Sequence, residues 1–376
     1  MDSRRAFGLR PWALVVATAA LALSSTSTEA HKAVTSKYGY VKDVFPVLRD
    51  HCGQCHVAGG PAPMSLLTFK DATAWAEAMR DELTAERMPP FPVAVNGPAI
   101  LDAHPMTAHD LDVVVTWASG GAPYGDPNVD VPETTFAPQW TLGPPDLTLA
   151  MESPHTVAAG TLDEIFETTL STRLTETRWV KAVDILAGTA SLARDAEVRV
   201  DGGPVLTLWQ PGGDTKAAPR GAAFKLSPGA KLHLRMHYKK HYDAEQDAVS
   251  DRSTIGLYFT DAPAAGRELQ SVSVDAAGRT ATLAGPARIV AVRTSLDHAY
   301  ASLAVDVVSP AGNRIPLLRL NGPRPQWRRR YWLQNPIETA AGTRIEVSMT
   351  PLPSSIDEPK TSATTPFDIA LDYVPE

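Results

Sequence analysis

The chain has 376 residues, enough for two or three domains, and its 44% hydrophobic and 20% charged residues are the balance of a globular protein with a real core. A formal net charge of −7, with no Lys/Arg-dense stripe, excludes the electrostatic footprint of a nucleic-acid-binding protein. The 32 Pro and 25 Gly are spread along the chain, which suits many short strands joined by turns.

Residues 1–30 read as an export signal. Arg4, Arg5 and Arg10 precede the apolar run Trp12–Leu23, which is too short for a membrane span, and Thr28-Glu29-Ala30 resembles a signal-peptidase site. Ser3-Arg4-Arg5-Ala6-Phe7 partly resembles a twin-arginine signal, but the general secretory route is expected. The expected location is the periplasm or the exterior, with no membrane span after signal cleavage: no later apolar stretch is long enough.

Residues 31–125 read as a small all-α domain. Val41, Phe45, Leu48 and Cys52 share a helical face, with Pro46 expected to break or restart the helix. A second helix is predicted from about Asp71 to Glu86, burying Ala74, Trp75, Met79 and Leu83. A third starts at Thr107 and runs through Trp117; Thr107 and Asp110 form a capping-box pattern, and Gly120-Gly121 ends it. Residues 126–146 read as a Pro-rich linker.

From about 147 onward short alternating segments are separated by Gly, Pro, Asn and Asp, for example Lys231–Tyr238, Ile255–Phe259, Ala301–Val308 and Arg344–Met349. The expectation is all-β: two sandwiches, over 147–262 and 263–376.

The sharpest chemical signal is Cys52-Gly53-Gln54-Cys55-His56, which contains the only two cysteines of the chain. C-x-x-C-H is the pattern of covalent c-type haem attachment: each thiol adds to a vinyl group, and the adjacent imidazole reaches the iron. A redox dithiol would want a thioredoxin-like βαβ pattern, and a zinc site would need a second ligand pair; both are missing. His56 is therefore the expected proximal ligand of one haem c. Met88, in Arg87-Met88-Pro89-Pro90, is the favoured distal ligand, with Met106 the alternative; Met64 is too close to His56 in sequence to cross easily to the other face. His51, His104 and His109 could ligate instead but read as exposed polar residues. No catalytic residue is assigned. The sequence contains no G-x-S-x-G, P-loop or H-E-x-x-H motif, and Arg328-Arg329-Arg330 reads as a solvated face or docking spot.

Val44–Gly125 resembles the cytochrome c modules fused to other domains in secreted proteins of Gram-negative bacteria and planctomycetes. The resemblance rests on Val47-Leu48, Gly60-Pro61-Ala62-Pro63-Met64, Arg87-Met88-Pro89-Pro90, and Trp117 with Gly121-Ala122-Pro123. In such modules the Met of the Met-Pro-Pro run is the expected distal ligand, which implies Met88.

The β region, from about Trp140 on, resembles the double jelly roll of the copper type II, ascorbate-dependent monooxygenases, the superfamily of peptidylglycine α-hydroxylating monooxygenase. The segments carrying this are Arg178–Val183, Trp209-Gln210-Pro211-Gly212, Leu226–Ala230, Met236-His237-Tyr238, Asp251–Leu257, Ser309-Pro310-Ala311-Gly312, Trp327 and Tyr331. The family binds two coppers, one through a His-His pair and a separate His, the other through His-x-His and a Met. Here Arg194-Asp195 stands where the His-His pair is expected, and Ser295-Leu296-Asp297, followed by His298, where the His-x-His is expected. Only His237 occupies a ligand position. One imidazole is a poor copper site, and His233, four residues along a strand, would lie roughly 13 Å away with Arg235 between them. His241 could bend back from the following loop. Copper is not expected. Arg194 and Asp195 are expected to pair with each other or with new partners. The implied function is electron transfer to or from a redox partner protein, with the β module offering a small-molecule or protein ligand site. The alternative is an active copper-dependent monooxygenase fed by its own haem domain. An open-site haem sensor or peroxidase is disfavoured by Met88.

Overall fold

The computed structural model describes residues 35–90, 93–94, 97–101, 103, 106–213, 215–264, 267–352 and 367–376. The expected signal peptide and His104 lie outside the described residues.

Four short helices gather around a hydrophobic cluster of their own: α1 (Phe45–His51), α2 (Phe69–Ala74), α3 (Ala76–Thr84) and α4 (Ala108–Ser119). A π-helical turn, Tyr40–Val44, leads into α1, and Pro46 lies in the first turn of α1, where its missing N–H costs no helix bond. Tyr40 and Trp117 are fully buried, their rings 6.0 Å apart, and the indole N–H of Trp117 donates to the Pro123 carbonyl at 2.9 Å. The helix predicted over 71–86 is instead two helices broken at Trp75. Trp75 takes a non-helical backbone (φ −103°, ψ 8°), and its N–H reaches Asp71 and Thr73 carbonyls. The break rotates Ala74 and Trp75 outward, Trp75 to 41% exposure, while Ala76, Met79 and Leu83 face the core.

Among the described residues the rest is mainly β, with a 3-10 turn at Tyr242–Ala244. The first sandwich comprises β1 (Leu147–Ala150), β2 (His155–Val157), β3 (Asp163–Ser171), β4 (Arg178–Leu186), β5 (Ala193–Val200), β6 (Val205–Trp209), β7 (Phe224–Leu226), β8 (Lys231–Lys239), β9 (Val249–Asp251) and β10 (Thr254–Thr260). One sheet runs β1-β10-β4-β7 and the other β3-β8-β5-β6, with β2 and β9 a separate antiparallel pair. The second sandwich comprises β11 (Gln270–Ser273), β12 (Thr280–Thr282), β13 (Ala287–Ser295), β14 (Tyr300–Val308), β15 (Arg314–Asn321), β16 (Arg329–Thr339), β17 (Arg344–Pro351) and β18 (Asp368–Pro375), in sheets β11-β18-β13-β16 and β12-β17-β14-β15. With the β2–β9 pair set aside, both sandwiches have the same strand order.

The period of two decides which side chains are inside. On β8, Leu232, Leu234, Met236 and Tyr238 are fully buried, and His233, Arg235 and His237 face outward. Each sandwich has its own core. Val290, Ala291, Trp332 and Val374 of the second join the core of the first, so the two pack against one another. Between α3 and α4, Val93, Ala94, Ile100 and Leu101 lie on the second sandwich. The Ala94 N–H donates to the Arg319 carbonyl at 2.9 Å, and the Leu101 N–H to the Trp332 carbonyl at 2.8 Å. Within the Pro-rich segment, the Phe136 N–H donates to the Ala58 carbonyl at 3.0 Å, holding that segment against the turn after α1.

Candidate functional site

Cys52 caps the C-terminus of α1, its N–H donating to the Leu48 carbonyl at 2.9 Å. The next residues curl into one turn: the N–H groups of Cys55 (3.1 Å) and His56 (2.8 Å) both reach the Cys52 carbonyl. Cys52, Cys55 and His56 are thereby held on one short arc, all half-buried. Burial with Cys55 alongside pushes the Cys52 thiol up to about 12, and burial, opposed by the charge of Arg194, pushes Cys55 up to about 11. A redox dithiol needs one depressed thiol, so this environment argues against that role.

His56 Nδ1 lies 3.2 Å from the Met64 carbonyl. A carbonyl only accepts, so Nδ1 carries the proton and Nε2 keeps its lone pair. Burial, partly offset by that carbonyl, lowers the His56 pKa, favouring the neutral imidazole. Met64 thus contributes its backbone to the site while its side chain, like that of Met106, packs on the helical core. Met88 is half-buried in the loop after α3, its N–H 3.4 Å from the Glu82 carbonyl. Its neighbour Arg87 makes a bidentate pair with Glu82 at 2.7 and 2.9 Å. His109 is exposed, as expected; His51 is not, being half-buried 3.6 Å from Asp110.

The Cys55 turn docks on the first sandwich. Cys55 Sγ lies 3.4 Å from the Pro211 carbonyl, just after β6. Gly212 follows with φ +74°, and a Cβ there would meet Cys55 Sγ at 2.5 Å, so this close approach requires glycine. Nearby, Arg194 of β5 donates to the Pro61 carbonyl at 2.7 Å, and burial brings its pKa down to about 10.

Arg194 does not pair with Asp195. Asp195 faces His237 across the β5–β8 register, with Oδ2 2.7 Å from His237 Nδ1, while Asp163 Oδ1 lies 2.9 Å from His237 Nε2. Both partners are carboxylates, so both ring nitrogens donate when His237 is protonated. Burial lowers the His237 pKa, but hydrogen bonds and charge from Asp195 and Asp163 outweigh it and the net shift is upward. The carboxylates sit on opposite edges of the ring and cannot converge on one ion; among the described residues no group of three or more His, Cys, Asp or Glu is placed to hold a metal. His233 lies 3.8 Å from Glu167. Nε2 of His241 is buried without a hydrogen-bond partner. On the second sandwich, His298 is exposed beside Asp297 (3.0 Å) and Leu296 is buried, so no imidazole pair forms there.

The arginine run 328–330 departs most from the sequence reading. It is not a solvated face: Arg328 and Arg330 side chains are 11% and 5% exposed. Arg328 spans the sandwiches, pairing with Glu197, lying 3.8 Å from Asp195 and donating to Ser295 Oγ at 3.3 Å. Arg330 pairs with the fully buried Asp372 at 2.6 Å and donates to the Val205 and Leu206 carbonyls. The signal missed is contextual: Arg328 and Arg330, two residues apart, meet acids supplied by β5 and β18, far off in sequence.

No family model and no curated protein matches the chain. Among solved structures, similarity is slight. A xanthan lyase from Paenibacillus is 14% identical over 66% of this chain and 28% of its own, with a TM-score of 0.17. The A223 turret protein of Sulfolobus turreted icosahedral virus is 10% identical over 61% of this chain and 97% of its own, with a TM-score of 0.15. A second structure of that virus gives a TM-score of 0.14 at 10% identity, over 67% of this chain and 100% of its own. The chain spans little more than a quarter of the lyase.

Among the described residues no helix is long and apolar enough to cross a membrane.

Proposed function

We propose that this chain is an exported, monohaem c-type cytochrome for electron transfer, joined to a double jelly roll of the copper-monooxygenase type that does not bind copper. The observation carrying the proposal is the Cys52–His56 turn, in which two thiols and an imidazole with a free Nε2 share one arc. The donor set fits haem c: Cys52 and Cys55 would carry the thioether links, His56 the proximal iron bond, and Met88, with Met106 the alternative, the distal one. Bound haem supplies reversible one-electron transfer. The Met64 carbonyl fixes the ring and tautomer of His56, and the Pro211-Gly212 turn shields the Cys55 edge from water. The strand order repeated in the two sandwiches, four strands in each sheet, supports the jelly-roll reading. His237 clasped between Asp163 and Asp195 supports the loss of copper, because a carboxylate already occupies each ring nitrogen. The partner is a redox protein of the periplasm or the exterior.

The test is the copper-to-iron ratio of protein matured in a periplasm with haem-attachment machinery, after copper loading and desalting. About one iron per chain with negligible copper is expected. One or two coppers per chain would overturn the silent-scaffold reading in favour of a copper monooxygenase; protein without covalent haem would overturn the cytochrome reading.

A further inference from the structure

The haem-attachment turn and the chain around Met88 are held by different halves of the β module. The turn rests on the first sandwich, with Cys55 Sγ 3.4 Å from the Pro211 carbonyl and Arg194 donating to the Pro61 carbonyl at 2.7 Å. The chain after Met88 is taken up by the second. Val93 bridges Leu320 of β15 in antiparallel sense, and the Ala94 N–H donates to the Arg319 carbonyl at 2.9 Å. A Cβ on Gly97 would stand 3.2 Å from Arg319 Cβ, so this backbone packs close on β15. Further on, Ile100 bridges Leu333 of β16, the Leu101 N–H donates to the Trp332 carbonyl at 2.8 Å, and the Gln334 N–H donates to the Ala99 carbonyl at 2.9 Å. β15 and β16 are each an edge strand of their sheet, where backbone groups are open to such pairing.

A separate contact holds the chain before Met88. The connection from β15 to β16 meets the end of α3: a Cβ on Gly322 would stand 3.5 Å from the Glu86 carbonyl oxygen. Arg324, half-buried in the same connection, feels both members of the Glu82–Arg87 pair. Burial and then the charge of Arg87 lower its pKa, and the charge of Glu82 opposes them. Glu82 is also the residue whose carbonyl receives the Met88 N–H, at 3.4 Å. The second sandwich thus grips the chain on both sides of Met88.

We propose that the second sandwich positions Met88 as the distal haem ligand, with the Ala94 backbone and Arg324 as positioning groups, while the first sandwich seats the attachment turn. The inference rests on the cytochrome reading and gives the β module a part in it. A loop fastened on both sides of its ligand loses little further entropy on ligation, so Met88 resists displacement by an external ligand.

The experiment is imidazole titration of the full ferric chain matured with covalent haem, followed alongside the weak long-wavelength Met–iron absorption band. Ala94→Pro removes the N–H that the Arg319 carbonyl accepts; imidazole is expected to bind about tenfold tighter, and the band to weaken. Arg324→Met is expected to tighten imidazole binding about threefold. Arg314→Met breaks ion pairs with Asp306 and Glu346 on the same strand β15 and is expected to change neither readout. A natively melting Ala94→Pro with haem attached and both readouts unchanged would overturn the inference and leave the cytochrome reading standing. An equal effect in Arg314→Met, or a band that survives Met88→Ala, would do the same. Should Ala94→Pro fail to fold, Arg324→Met decides on the same two readouts. Protein without covalent haem would overturn the cytochrome reading and this inference together.

Discussion

At the scale of single residues, the site is defined by which lone pairs remain free. His56 and His237 are both partly buried strand- or turn-borne imidazoles, yet their neighbours send them opposite ways. A carbonyl holds His56 at Nδ1 and leaves Nε2 open; two carboxylates hold His237 at both nitrogens. The distal ligand of the proposed haem can be assigned directly. Met-ligated ferric haem c is expected to show a weak long-wavelength absorption band. Met88→Ala removes that band and Met106→Ala leaves it; the reverse result would move the ligand to Met106. The His237 clasp predicts a pH dependence. Its folded pKa is raised, so its stabilisation is complete below the unfolded value of about 6.5 and is lost as pH rises through the folded pKa. The groups facing the ring are Asp163 and Asp195, with Arg235 3.6 Å from Asp195. His237→Gln therefore lowers stability by about 2 kcal/mol below pH ~6.5, and the gap in melting temperature closes as pH rises. A gap independent of pH would show that packing, not charge, accounts for the loss.

At the scale of elements, α4 is where local sequence decided most. Its capping box forms as the pattern predicts, with Thr107 Oγ1 accepting from the Asp110 N–H at 3.1 Å and Asp110 accepting from the Thr107 N–H at 3.3 Å. Thr107→Ala costs about 1 kcal/mol in denaturant unfolding, and Thr107→Ser is close to neutral. The strands were similarly legible: Lys231–Tyr238, Ile255–Phe259, Ala301–Val308 and Arg344–Met349 each lie within a strand, because alternation is a local property. What failed was local reading at Trp75, where one residue in a bridge conformation re-phased a helix. The C-x-x-C-H turn was readable as a motif, but its surroundings were not. The Met64 carbonyl and the Pro211-Gly212 turn reach it through tertiary packing, across 8 and 156 residues of sequence separation, as Asp163 reaches His237 across 74. No periodicity encodes such contacts.

At the scale of the whole molecule, arginines of the second sandwich tie the halves together: Arg330 holds the Val205 and Leu206 carbonyls, and Arg328 holds acids. Arg328 comes from the second sandwich and meets Glu197 and Asp195 of the first, while holding Ser295 of its own. The interface also has an apolar part, Trp332 and Val374 against the first core, so loss of Arg328 need not part the sandwiches. It does strand acids: Asp195 and Glu197 are 5% and 8% exposed. Glu197 keeps Arg199 at 3.0 Å and Asp195 keeps His237, which limits the cost. Arg328→Met is therefore expected to destabilise by about 2 kcal/mol and to loosen the coupling between sandwiches. Differential scanning calorimetry should then resolve two overlapping transitions in place of one. A single transition shifted down by several degrees would mean that the apolar contacts alone keep the two sandwiches cooperative, with Arg328 contributing only stability.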